Sequence, residues 1–337
     1  MESFRERGWM HARKCLTLCL AGIAMAWVAA TFAAAPLAGK QAPGFYRTMV
    51  GKFEVTALSD GTHPFPIDKV VEGVSNADIE NDLQRAFLAP PVQGSINAFL
   101  VNTGEKLILI DAGAGSLYGD CCGRLVDNLR AAGYRPEQVD EVLLTHMHED
   151  HIGGIASKGV AVFPNAVVRV NRKEADYWLD PVNKTQASPL LAPFFDAATA
   201  AIEPYRAVGR FKTYDHDGVL EPGIRAISLP GHTPGQMAYL VESGSARLLV
   251  WGDVVHVAAI QLRQLQATVK YDSDPSEARE SREEILREVA DRRYLVGAAH
   301  VSFPGLGHVR KDGDTFDWVP VNYDWSPVPR AGVAPRP

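Results

Sequence analysis

The chain has 337 residues, 46% of them hydrophobic and 22% charged, with a formal net charge of −6. That composition supports a sizeable folded core and excludes a disordered or collagen-like chain. No run of five or more basic residues occurs, so the clustered Lys and Arg that phosphate binding needs are missing and nucleic acid is not an expected partner.

The chain opens MESFRERGWMHARKCLTLCLAGIAMAWVAATFAAAPLA. Arg5, Arg7, Arg13 and Lys14 precede an apolar run from Leu16 to about Ala35, and Ala33 and Ala35 follow an A-x-A cleavage pattern. This is the layout of a secretory signal peptide over residues 1–35, which implies a periplasmic or secreted protein. An uncleaved inner-membrane anchor is the alternative, because a span of ~20 apolar residues can cross a bilayer. No later stretch is apolar for that length, so stable membrane association is not expected after leader cleavage. Cys15 and Cys19 lie in the leader. Cys121 and Cys122 are adjacent in the body, lack C-x-x-C spacing, and read as packing residues or free thiols.

Residues 36–325 contain no repeat or low-complexity linker and are expected to form a single domain, with a Pro-rich tail at 326–337. FYRTMVGKFEVTALSDG reads as a strand pair ending in a turn at Asp60-Gly61. NAFLVNTGEKLILIDAGAG reads as two strands around a Thr-Gly turn, then a glycine-rich bend. GRLVDNLRAAGY places Leu125, Leu129 and Ala132 at helical spacing, with Gly133 as its stop. In NRKEADYWL, Asn171 and Glu174 occupy capping-box positions and predict a helix. IRAISLPGHT, ARLLVWGD and YLVGAAH are three buried strands, each running into a His or Asp. DPSEARESREEILREVADRR predicts a helix with Ile285, Leu286 and Val289 inward and Glu283–Arg287 as an outward i,i+4 pair.

The chemistry concentrates after EVLLT, an apolar, β-prone stretch that runs into THMHEDHIGG, residues 145–154. An extended chain sends residues at i, i+2 and i+4 to one side, so His146, His148 and Asp150 share a face. His151 joins them only if the backbone turns at once into a helix, and Gly153 and Gly154 suit such a bend. Imidazoles and a carboxylate converging in this way suit zinc or a similar first-row metal. Three further residues stand just beyond predicted strands, where α/β architectures place their chemistry: His232 in PGHTPGQ, Asp253 in LLVWGDVV and His300 in GAAHVSFPG.

With these seven residues in this order, the sequence resembles the metallo-β-lactamase-fold hydrolases. The resemblance implies an α/β (α+β) fold, an αββα sandwich of two mixed sheets with helices on the outer faces and the site at one edge. It also implies that His146, His148 and His232 hold one metal, that Asp150, His151 and His300 hold a second, and that Asp253 bridges them. The segments APGFYRTMVGKFEVTALSDGT, LVNTGEKLILIDAGAGSLYG, FPNAVVRVNRKEADYWL, YDSD, AAHVSFPGLGHVR and WVPVNY narrow the likeness. Together with GHTPGQ they resemble the methyl parathion hydrolase family and its lactone- and aryl-ester-hydrolysing relatives, over nearly all of residues 42–323. The implied cofactors are two divalent metal ions, zinc first, with iron, manganese and cobalt accepting the same donors. Two such cations can lower the pKa of a shared water toward neutrality. Two dications, two carboxylates and one hydroxide leave a net positive charge to meet a developing oxyanion. Asp150 and Asp253 are the candidate catalytic carboxylates.

By the same resemblance Asp111, in LILIDAGAG, is a candidate hydrogen-bond partner for a ligand histidine, and Asp60 a weaker one. Tyr118, Trp178, Phe194 and Phe195 are candidates for an apolar pocket wall. His256 departs from the family pattern, where an aliphatic residue stands, and Val269 and Tyr271 are bulkier than the pattern's residues. Crowding at His256 and Tyr271 would hinder a tetrahedral phosphotriester more than a planar lactone or aryl ester. His11, His63, His216 and His308 read as structural or surface residues. The expected partner is a small ester, lactone or phosphotriester, and a homodimer is implied by resemblance alone. An N-acyl-homoserine-lactone-type lactonase or a β-lactamase is the alternative on the same fold. A non-catalytic metal-binding periplasmic protein is the alternative of another class, although degenerate scaffolds lose ligands and none is missing here.

Overall fold

The computed structural model of the chain describes residue 35 and residues 37–324. Residues 1–34 of the expected leader and the expected tail at 326–337 lie outside the described residues. The chain divides after Ala42. Residues 37–42 carry no helix or strand, and the described sheets and helices lie in the unit from Pro43 onward.

Two seven-stranded sheets form that unit, and in each the spatial order of the strands repeats their order in the chain. The first holds β1 (Phe45–Val50), β2 (Phe53–Phe65), β3 (Val92–Asn102), β4 (Leu107–Ile110), β5 (Glu141–Leu143), β6 (Val167–Asn171) and β7 (Phe211–Tyr214). The second holds β8 (Gly218–Glu221), β9 (Ile224–Ser228), β10 (Met237–Ser243), β11 (Ala246–Val250), β12 (Leu295–Gly297), β13 (Leu306–Asp312) and β14 (Thr315–Pro320). Both sheets are mixed: β4, β5, β6 and β7 run parallel, as do β11 and β12, while the remaining neighbours are antiparallel hairpins.

Alternation along the central strands builds the layers. Ala98 and Leu100 of β3, and Leu107 and Leu109 of β4, face one apolar cluster, while Phe99, Val101, Ile108 and Ile110 face another. The second cluster also contains Tyr239, Val241, Leu248 and Val250 from the other sheet, so it is the filling between the sheets. Strands buried on both faces read as continuous apolar runs, which is why LILI and ARLLV show no polar alternation. Helices cover the outer faces. Leu125 and Leu129 of α1 (Leu125–Ala131) pack on the first sheet. So do Ala175 and Trp178 of α3 (Arg172–Trp178) and Ile202 and Tyr205 of α4 (Ala192–Arg206). A fourth long element, α5 (Pro275–Arg292), packs Ile285, Leu286 and Val289 on the second sheet. Asp274 caps α5 by accepting from the N–H groups of Ser276 and Glu277. Its outward Glu283–Arg287 pair, at 2.6 Å, is exposed and contributes little. The architecture is the αββα sandwich.

The turn expected at Asp60-Gly61 is absent. The first hairpin reverses at Gly51-Lys52, and β2 continues to Phe65 through a register shift between Ser59 and Gly61. The reason lies across the sheet edge. The extra residue of the bulge re-aims Asp60, whose carboxylate accepts from the N–H groups of Ala114, Gly115 and Gly123 on one oxygen and Leu125 on the other, at 2.9–3.2 Å. Asp60 thus braces the glycine-rich loop after β4 rather than a histidine. Replacing it with Ala strands these N–H groups in a buried setting, and we expect stability to fall by about 3 kcal/mol or more. A urea midpoint equal to wild type would contradict that role.

Candidate metal centre

The seven residues lie in segments that follow sheet strands, and the two sheets bring those segments together. After β5, Leu144 and Thr145 lead to His146 and His148. His148 has extended backbone (φ −69°, ψ 156°) and is the N-cap of α2 (Glu149–Ile152), whose single turn swings Asp150 and His151 back toward the first two histidines. Gly154 permits this by close approach: a Cβ there would sit 1.9 Å from the Ala112 carbonyl oxygen. His232 follows β9, Asp253 follows β11 and His300 follows β12.

Two buried groups result. His146, His148, His232 and Asp253 form one, and Asp150, His151 and His300 form the other. Asp253 lies between them. Its Oδ1 is 3.0 Å from His151 Nε2, and its Oδ2 is 3.1 Å from His300 Nε2, 3.5 Å from His232 Nε2 and 3.8 Å from His146 Nε2. Asp150 approaches His300 at 3.5 Å and His151 at 3.8 Å.

Fixed partners on the outer ring nitrogens aim the imidazoles. His151 Nδ1 pairs with Asp111 Oδ2 (2.9 Å), His232 Nδ1 with Asp272 Oδ1 (2.7 Å), and His300 Nδ1 with the Ser95 carbonyl (2.9 Å). His146 Nδ1 faces the Thr145 hydroxyl at 3.1 Å, which in turn donates to Asp111 Oδ2 at 2.8 Å. Their Nε2 atoms are thereby turned inward. The Nε2 atom of His146 is buried and makes no hydrogen bond, with Asp253 Oδ2 3.8 Å away. Buried polar atoms without partners are costly, and a divalent cation is what lone pairs converging from several sides can share. The donor set fits such ions.

Electrostatics agree with that fit. Burial, then the neighbouring imidazole of His151, holds His146 well below the usual histidine range; burial, then His232, does the same to His148. Both are neutral donors at pH 7. Burial also opposes charge on His151 and His300, but Asp253, with Asp111 or Asp150, outweighs it and holds both above the usual range. Burial disfavours the Asp253 anion, yet His151, His300 and His256 together hold its carboxyl well below the usual carboxylate range.

Of the expected pocket residues, Trp178 and Phe194 each meet the His148 ring edge-on, at 5.0 and 4.9 Å. Phe195 does not reach the site. It is 2% exposed and packs behind Trp178 in the core under the first sheet, because one residue along α4 turns its side chain about 100° away from Phe194. Tyr118 stands half-buried against His63 at 4.8 Å. His256 stacks on His300 with a 13° interplanar angle and brings Nε2 within 3.1 Å of Asp253 Oδ2. Tyr271 meets His256 edge-on at 5.4 Å, and its buried hydroxyl has no hydrogen-bond partner. Val269 instead pairs with Val71 and packs with Ile67, Ile79 and Leu83, so it adds no crowding at the histidines.

Besides Asp272, sequence reasoning missed three neighbours. Phe65 touches the His300 ring at 5.4 Å and His63 lies beside it at 5.0 Å, both brought there by the stretch of β2 beyond the Asp60 bulge. Glu174 is the third. Asn171 caps α3 as expected, accepting from Lys173 N at 2.9 Å, but Glu174 does not complete the box and turns inward. Only Asp272 left a trace, in the YDSD motif.

Residues 91–300 match the family model described as the metallo-beta-lactamase superfamily. The chain belongs to that superfamily. It is 37% identical to a solved structure described as hydrolase AbOPH in the beta lactamase superfamily, with a TM-score of 0.81 over 85% of this chain and 100% of that one. It is 28% identical to AidC, described as a dizinc quorum-quenching lactonase in complex with the product N-hexanoyl-L-homoserine, with a TM-score of 0.74 over 83% of this chain and 98% of that one. Among curated proteins it is similar to an atrochrysone carboxyl ACP thioesterase of Passalora fulva, 25% identical over 47% of this chain and 38% of that protein. An N-acyl homoserine lactonase of Bacillus cereus is 24% identical over 38% of this chain and 42% of that protein. The chain therefore spans about half or less of the length of these two curated relatives. The relatives are hydrolases of the metallo-beta-lactamase fold.

Asp111 accepts from the Thr145 N–H on one oxygen and meets the Thr145 hydroxyl and His151 Nδ1 on the other, so Asp111→Asn sets an amide N–H against one of these donors and loosens the link that runs from His146 through Thr145 to His151. We expect metal affinity, measured by chelator competition, to fall about 10–100-fold. Unchanged affinity would show that Asp111 does not orient the ligand imidazoles.

Proposed function

We propose that the chain hydrolyses lactones and aryl esters, with organophosphate triesters as further substrates, at a centre holding two divalent cations, zinc first among zinc, iron, manganese and cobalt. The observation that carries the reading is the buried Asp253, whose oxygens lie within 4 Å of imidazoles from both groups. His146, His148 and His232 would hold one cation, Asp150, His151 and His300 the other, with Asp253 shared. When bound, the cations supply Lewis acidity toward the substrate oxygen and bring a water toward neutral pKa.

The chain's own residues do the rest. Asp150 and Asp253, both oxygen acceptors at the centre, can orient the proton of the attacking water. Phe194, half-buried and edge-on to His148, offers an apolar surface for an acyl or aromatic group, and the buried Trp178 backs the same imidazole from the core. His256 stands against Asp253 and Tyr271 stands against His256, narrowing the space around the reacting carbon. A planar ester or lactone carbonyl fits such a gap better than a tetrahedral phosphorus with two alkoxy arms. Similarity to a dizinc lactonase over nearly its whole length supports the same class. The reading extends to an exported protein that loses residues 1–35 and to a homodimer in solution.

We expect kcat/KM to be highest for dihydrocoumarin-type lactones and aryl acetates and lower for methyl parathion. A preference for the triester would overturn the crowding argument. Two bound metals with no turnover of any lactone, ester or triester would favour a non-catalytic metal-binding protein. Asp253→Ala should drain metal and activity together, because it removes the one carboxylate common to both groups; full activity in that variant would sink the shared-ligand role.

A further inference from the structure

Glu174 is fully buried on α3, in a motif whose capping role it does not perform. Its Oε1 accepts from the Met147 N–H at 2.9 Å and from the indole Nε1–H of Trp178 at 2.7 Å. Its Oε2 accepts from the Gly235 N–H at 2.9 Å. Met147 is the residue between His146 and His148, and Gly235 lies three residues beyond His232. One carboxylate therefore ties together the two loops that carry the three histidines of the first group, and it also holds the indole that backs His148.

We propose that Glu174 is the positioning residue that sets the separation of the His146–His148 loop from the His232 loop, and so tunes one of the two cation sites and not the other. This rests on the two-cation reading above. The distances allow little else. His148 Nδ1 and His232 Nε2 come within 3.0 Å of each other across the join that Glu174 bridges. The join is also closed sterically: a Cβ at Gly235 would lie 2.3 Å from the Glu174 backbone nitrogen and 2.8 Å from its Cα. By contrast His151 and His300 are oriented through Asp111 and the Ser95 carbonyl, neither of which is among the hydrogen-bond partners of Glu174. Burial disfavours the anion at Glu174 and pushes its carboxyl up, and the N–H groups of Met147 and Gly235 oppose that shift.

Glu174→Gln separates the two halves of the contact. The amide oxygen must take the place of Oε1, where two donors converge, which leaves the amide N–H facing the Gly235 N–H and releases the His232 loop alone. The test strips the full-length chain of metal and titrates it with Zn²⁺ against a chelator. Wild type should bind two equivalents. In Glu174→Gln one equivalent should keep wild-type affinity and the other should weaken about 10–100-fold. Gly235→Ala, which forces the same join apart from the other side, should show the same selective loss and stands in if the first variant does not fold. A role in stability alone would lower the urea midpoint of the metal-free protein and leave both affinities equal. Equal weakening of both equivalents, or none, overturns the proposal. Fewer than two equivalents on wild type would sink the two-cation reading and this inference with it, whereas two on wild type without selective loss would sink the inference alone.

Discussion

A buried carboxylate in contact with imidazoles is the constraint on which the rest of this molecule depends. Asp253 is 5% exposed; burial disfavours its anion, yet His151, His300 and His256 hold its carboxyl well below the usual range, and these three with His232 and His146 lie within 4 Å of its oxygens. Removing that charge from water costs several kcal/mol unless something nearby answers it. Imidazoles answer it in part by taking protons, and His151 and His300 lean that way. His146 and His148 cannot, since burial and neighbouring imidazoles keep them neutral. The site therefore presents neutral nitrogen lone pairs and carboxylate oxygens at one point, a combination that favours divalent cations over protons.

Holding those groups face to face is the work of the sandwich. Because strand order in each sheet follows chain order, the first half of the chain delivers the His146–His151 turn and the second half delivers His232, Asp253 and His300, and the apolar layer between the sheets sets how closely they meet. Around this sits a shell of fixed acceptors: Asp111, Asp272, the Ser95 carbonyl and Glu174. Three of these are acidic side chains drawn from loops or a helix distant in sequence from the histidines they orient. Their burial stiffens the site before any ligand arrives, which is where electrostatic catalysis gains its advantage over water.

Legibility in the sequence followed the range of the interaction. The H-x-H-x-D-H spacing could be read because extended backbone followed by one helical turn is a local geometry with a fixed periodicity. The apolar strands LILI and ARLLV and the capped helix Pro275–Arg292 were readable for the same reason. Glu174 was not, since its capping-box position is satisfied by sequence alone while its real partners, Met147 and Gly235, lie 27 and 61 residues away. His63 and Phe65 were hidden by the bulge at Asp60, which shifts the register of everything beyond it. Phe195 read as wall because it neighbours Phe194, and helical geometry sent it to the core.

What the amino-acid order determined by itself, then, is the donor set, its division among strand ends and the two-layer apolar pattern, all consequences of backbone periodicity acting over a few residues. Tertiary structure alone decided which acids orient which histidines, which aromatic rings face the site and which face the core, and how far apart the two loops joined by Glu174 are held. Those outcomes depend on contacts between segments whose separation along the chain carries no periodic signal, and only the packing of the two sheets brings them within hydrogen-bonding distance.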